Sequence, residues 1–139
     1  MRLSPLQLDK HFFTKVNIEA SQQEESSPNI EFGSRVMINQ HIENERNFLV
    51  KLNLFSNDEE EENPNYTFNV EVVGVFTIND DYPSEKIQKL VEINAPAVLF
   101  GAAREMISNI TSRGPLASFD LPTVAFIPEK NDESSEEEN

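Results

Sequence analysis

The strongest constraint on this chain is a change of hydrophobic period near residue 80. From Lys10 to Asn79 apolar residues fall mostly at every second position, and from Ile87 to Arg113 at every third and fourth. Period two marks half-buried strands and a period near 3.6 marks a helix. A run of strands followed by a helix predicts an α+β fold.

Four strands are expected. In Lys10–Ala20, Phe12, Val16 and Ile18 share one face, with Phe13, Lys15, Asn17 and Glu19 on the other. Arg35–Ile42 places Val36, Ile38 and Ile42 together, and Phe48–Phe55 does the same for Phe48, Val50, Leu52 and Leu54. Tyr66–Asn79 is the longest, with Tyr66, Phe68, Val70, Val72, Phe76 and Ile78 on one parity, interrupted by Gly74. A glycine inside a strand marks a bulge or the close approach of another segment. Short polar turns between strands argue for an antiparallel sheet. Ser21–Asn29 and the acidic stretch Ser56–Asn65, which contains Pro64, read as loops.

Tyr82-Pro83-Ser84 opens a short helical stretch carrying Ile87, Leu90 and Val91. Asn94-Ala95-Pro96 punctuates it and starts a longer helix, since proline is tolerated in a first turn. That helix is expected to run to about Arg113, with Gly114 as a left-handed cap and Pro115 as a stop. Leu99, Ala103, Met106 and Ile110 form a stripe, widened by Val98, Ala102 and Ile107. The small-residue run Gly101-Ala102-Ala103 permits close packing, on the chain's own sheet or at a subunit interface. Pro115–Pro128 has three prolines, two phenylalanines and no helical period, so it is expected to be extended and irregular. Its large apolar side chains must be covered by some surface.

Charge is unevenly placed. The chain has 139 residues and a net charge of −14, with 25 acidic against 11 basic residues. Asp58–Glu62, the Glu24-Glu25 patch and residues 129–139 hold 13 of the acids. Setting these and Lys130 aside leaves 12 acidic and 10 basic residues, a nearly balanced body. The overall charge argues against a nucleic-acid or anionic-membrane binder. No cysteine is present, no apolar run approaches the ~18 residues of a membrane span, and no leader is visible, so the cytoplasm is the expected compartment. The expected organisation is an N-terminal arm at 1–9, one domain at 10–128 and a disordered acidic tail at 129–139.

Signals for catalysis are sparse. His11 and His41 are the only histidines, and the four glycines are scattered rather than forming a phosphate loop. Asp58–Glu62 lacks the alternate spacing and central glycine of a calcium loop. No metal, cofactor or catalytic residue is expected. A sheet, one long helix and surplus apolar side chains in an irregular segment suit a module that binds other polypeptides.

At Asn94–Phe126 the sequence resembles the SecB family of export chaperones. Asn94-Ala95-Pro96-Ala97-Val98-Leu99-Phe100, Ala103-Arg104-Glu105 and Ser112-Arg113-Gly114 carry the likeness. Leu121, Val124 and Phe126 extend it, and Phe13-Thr14-Lys15, Glu19-Ala20 and Gly74–Ile78 match upstream strands. The resemblance implies a four-stranded antiparallel sheet with a helix packed on it. It also implies a tetramer built as a dimer of dimers, its long helices at the dimer–dimer interface through Leu99, Ala102, Ala103, Met106 and Ile110. The implied activity is ATP-independent holding of unfolded polypeptides or precursor proteins in surface grooves, with transfer to the SecA motor. Leu116, Phe119, Leu121, Val124 and Phe126 are the expected groove residues, or else dock on the chain's own sheet. Glu19 alone matches the family's acidic SecA-contacting pair. Ile127-Pro128-Glu129 leads into the acidic tail where the family has a second helix. Members dedicated to one client, such as an antitoxin, offer the alternative role.

Overall fold

The four alternating runs build one antiparallel sheet: β1 (Leu6–Ala20), β2 (Phe32–Gln40), β3 (Asn47–Ser56) and β4 (Tyr66–Ile78). Their spatial order is β1-β4-β3-β2. The computed structural model describes residues 1–23, 25–57 and 63–128. Glu24, the acidic run 58–62 and the expected tail 129–139 lie outside the described residues.

β2, β3 and β4 follow one another as neighbours, and β1 pairs with the far side of β4. The polar link from β1 to β2 is tied down by backbone bonds, including Ser21 N–H to Asn65 O and Asn57 N–H to Glu31 O, both 2.8 Å. β2 ends at Gln40, so Ile42 stands fully exposed in the following turn rather than on the strand's apolar face. The turn is closed by His41 N–H to Asn47 O, with the Asn44 side chain accepting from Arg46 N–H.

β1 starts at Leu6, so Leu6–Leu8 of the expected arm pair with β4. The strand also carries two register shifts, at Asp9 and at Thr14. Each extra residue flips the side-chain parity. Phe13, not Phe12, therefore shares a face with Val16 and Ile18, because Phe13 lies opposite Val72 and Val16 opposite Val70. Both bulge residues are pinned to β4: the Thr14 hydroxyl donates to Glu71 Oε1 (2.6 Å), and the Thr77 hydroxyl donates to Asp9.

One helix covers the sheet. A 3₁₀ turn, Ser84–Lys86, leads directly into α1 (Ile87–Thr111), which passes through Pro96 without a break. The expected division at Asn94–Pro96 is absent. A proline inside a helix loses one backbone bond and costs roughly 3 kcal/mol, but burial on both sides opposes that cost. Ile87, Val91, Ala95, Leu99, Ala103, Ile107 and Thr111 form an unbroken i+4 ridge, all buried. Gly74 lies under it, where an added Cβ would come within 2.8 Å of Leu99 and 2.7 Å of Phe76. The glycine thus serves close approach of the helix, and the bulges sit on neighbouring β1.

α1 ends without a left-handed residue, since no described residue has positive φ. Gly114 is required for a different reason: a Cβ there would sit 2.2 Å from the Tyr66 hydroxyl. That hydroxyl accepts from Leu116 N–H (3.1 Å) and lies within donating distance of the Thr111 and Leu116 carbonyls. Thr111, fully buried, donates to Ile107 O (2.8 Å) and accepts from Phe119 N–H (2.9 Å). Start of β4, end of α1 and the chain beyond are thereby locked into one joint.

Candidate polypeptide-binding groove

β2 is an edge strand, and α1 does not reach fully across it. Ser34, Val36 and Ile38 lie on its helix-side face, and Val36 remains 39% exposed. The facing rim of α1 is a second i+4 row, Gln88, Glu92, Pro96 and Phe100. Two adjoining depressions of about 410 and 260 Å³ run between strand and helix. Phe32, Gly33 and Leu54 close one end. The chain's own segment Val124–Pro128 lies along the groove with Val124, Phe126 and Pro128 half-buried and Ala125 and Ile127 exposed.

A row of five phenylalanines connects this groove to the joint at the end of α1. Phe119 and Phe68 have ring centroids 6.0 Å apart, Phe68 and Phe32 6.4 Å, Phe32 and Phe100 6.5 Å, and Phe100 and Phe126 6.2 Å. Centroid spacings of roughly 4.5–7 Å are those of interacting rings.

The residues expected to line a groove divide into three roles. Val124 and Phe126 sit in it. Phe119 packs against the core at the far end of the phenylalanine row, and Leu116 belongs to the Tyr66 joint. Leu121 is 1% exposed, a core side chain rather than a surface one. The residues expected at a helix–helix interface also divide. Leu99 and Ala103 are fully buried beneath α1 against the chain's own sheet, which removes them from any outer surface. Ala102, Met106 and Ile110 are half-buried, while Ala97, Val98, Gly101, Arg104 and Glu105 face outward. Periodicity alone could not tell which side of the helix meets the sheet, because small residues occupy both.

Glu19 is exposed on the opposite face of the sheet, beside Asn17, Arg35, Phe55 and Asn69. There the Arg35 guanidinium stacks 4.6 Å from the Phe55 ring centre. His11 is exposed beside Phe13, and His41 Nδ1 accepts from Glu43 N–H. No group of three His, Asp or Glu side chains among the described residues is arranged to hold a metal. No helix among them is long and apolar enough to cross a membrane.

Phe32, Pro96 and Phe100 were not singled out as groove residues. Pro96 and Phe100 stand four apart in the helix motif, a spacing that puts them on one rim. Phe32 precedes Gly33 and falls outside the alternating run, so its place in β2 had no local signal.

Among solved structures, the fold is similar to that of a SecB-like chaperone from Mycobacterium tuberculosis in complex with a ChAD peptide from the HigA1 antitoxin. The TM-score is 0.64 at 14% identity, covering 86% of this chain and 91% of that one. It is also similar to a protein of unknown function from Streptococcus agalactiae, with a TM-score of 0.51 at 16% identity, covering 84% and 96%. No curated protein sequence matches the chain. A four-stranded antiparallel sheet carrying one long C-terminal helix is thus the architecture of a SecB-like chaperone. The sequence matches the family model of SecB, the preprotein translocase subunit, over residues 8–128, and the chain belongs to the SecB family. It is a family of chaperones rather than of enzymes.

Proposed function

We propose that this chain is a holdase that captures apolar stretches of non-native polypeptides in the groove between β2 and α1, without nucleotide. The observation that carries this reading is a groove at the sheet edge in which Val36, Ile38, Pro96 and Phe100 stand among polar side chains, with the chain's own segment lying along it. Burial of apolar surface contributes roughly 25 cal/mol per Å². A large apolar side chain contributes about 1.5–3 kcal/mol on full burial, so several of them seated along such a groove bind with little sequence specificity. Val124 and Phe126 are groove residues in this reading, Phe119 and Leu116 support them, and Leu121 anchors the segment to the core.

The test is suppression of aggregation of a slowly refolding client without ATP. Equimolar to several-fold excess chaperone is expected to hold light scattering low. Unchanged scattering at several-fold excess sinks the proposal.

In the export reading, the client is kept translocation-competent and passed to SecA, with Glu19 on the open sheet face as a contact. The chain acts in the cytoplasm as a dimer of dimers, assembled through the outward face of α1 that carries Val98, Gly101 and Ala102. A second reading is favoured by the Mycobacterium tuberculosis neighbour, which is bound to an antitoxin peptide. By that analogy the chain serves one dedicated partner and needs no SecA. A pull-down from the host separates the two: one stoichiometric partner supports the dedicated role, and a broad set of precursors supports export.

A further inference from the structure

We propose that the groove selects extended segments carrying two large apolar side chains two residues apart, and that Val124–Pro128 is its resident occupant, which a client must displace. The inference rests on the groove being the client site.

Three observations lead to it. First, burial alternates along the segment: Val124, Phe126 and Pro128 are half-buried and Ala125 and Ile127 exposed. An extended chain puts positions i and i+2 on one face, so the segment presents Val124 and Phe126 to the groove as an extended client would present its own pair. Second, Phe126 meets Phe100 edge-on at 6.2 Å, so an aromatic ring fits against the helix rim. Third, side-chain and backbone bonds stop where the groove begins. The chain is pinned through Asp120 by Tyr66 to Leu116, Thr111 to Phe119 and Ser108 to Asp120 (2.6 Å). From Leu121 to Pro128 no hydrogen bond to another described residue is formed. Leu121 is the last buried anchor. Beyond it the segment leaves the groove by exchanging apolar contacts alone, and an incoming extended chain supplies equivalent ones.

A resident occupant lowers apparent affinity by the fraction of molecules whose groove is open. Weakening the occupant therefore tightens the binding of a peptide supplied separately. If the segment is instead a fixed wall, the same change weakens binding.

The probe is a fluorescently labelled peptide copying residues 121–128, Leu-Pro-Thr-Val-Ala-Phe-Ile-Pro, titrated against the full chain by anisotropy. Phe126→Ala is expected to bind it about 3- to 10-fold more tightly than the unaltered chain, as the open fraction rises. Val124→Ser moves in the same direction and carries the test if Phe126→Ala does not fold. Exchanging the first Pro and Val in the peptide, to Leu-Val-Thr-Pro-Ala-Phe-Ile-Pro, puts Val four positions from Phe, breaks the spacing and is expected to weaken binding several-fold. Unchanged or weaker binding by both variants overturns the resident occupant, as does a failure of either variant to bind the peptide while aggregation is still suppressed. Equal binding of the exchanged peptide overturns the spacing rule. Val36→Asp is expected to abolish binding; if it binds the peptide as well as the unaltered chain does, the groove itself is not the client site and the proposed function falls with it.

Discussion

Tyr66 and Gly114 meet where α1 gives way to the groove segment, and their contact shows what one missing methyl group is for. Tyr66→Phe removes the hydroxyl that pairs with Leu116 N–H and is expected to destabilise the fold by about 1–2 kcal/mol. Gly114→Ala drives a Cβ into that hydroxyl and is expected to cost about 1–3 kcal/mol as overpacking. In the Tyr66→Phe background the alanine is expected to cost less, since the nearest clashing atom is gone. Urea unfolding of the two single variants and the double variant measures this coupling; strict additivity would contradict it. The glycine's importance was legible from the Gly-Pro pair after a helical run. Its reason was not, because the atom that demands it belongs to a residue 48 positions earlier in the chain.

Strand and helix periods are the part of this fold that sequence displays most openly: four alternating runs and one helical run, in the right order. What it hides are changes of phase. In β1 the bulge at Thr14 follows adjacent Phe12 and Phe13, so both parities look apolar and no break shows. Deleting Thr14 removes the phase shift, and one half of β1 must then turn its inner side chains outward. The expected loss is about 2–4 kcal/mol, comparable with emptying one or two core positions, read as a lower urea midpoint; an unchanged midpoint would refute the assigned bulge. Pro96 misleads in the opposite sense. Local chemistry stops a helix there, yet the buried ridge from Ile87 to Thr111 carries α1 through, because burial along 25 residues outweighs one lost backbone bond. The groove was only partly legible for the same reason. Val124 and Phe126 stood out as apolar residues in an irregular segment, but their facing walls come from β2 and α1, more than twenty residues away.

For the whole molecule, α1 has two faces with opposite expected responses to charge. Ala103 is fully buried against the sheet, so Ala103→Glu is expected to unfold the chain. Gly101 has nothing within 4 Å of its would-be Cβ, so Gly101→Glu is tolerated by the isolated fold. If the outward face joins dimers into a tetramer, Gly101→Glu is expected to halve the sedimenting mass while circular dichroism stays unchanged. A tetramer that persists with glutamate at 101 removes that face from the assembly. Net charge says little about these surfaces, since most of the acidic excess was placed by sequence outside the strands and helix. One further property follows from the joint at Tyr66. The chain has no tryptophan and only two tyrosines, so beyond the weak phenylalanine band its near-ultraviolet emission comes from Tyr66 and Tyr82. One of these two natural fluorophores is wired by hydrogen bonds to the root of the groove segment, which makes the protein its own optical reporter of movement there, readable with any client that lacks aromatic emission.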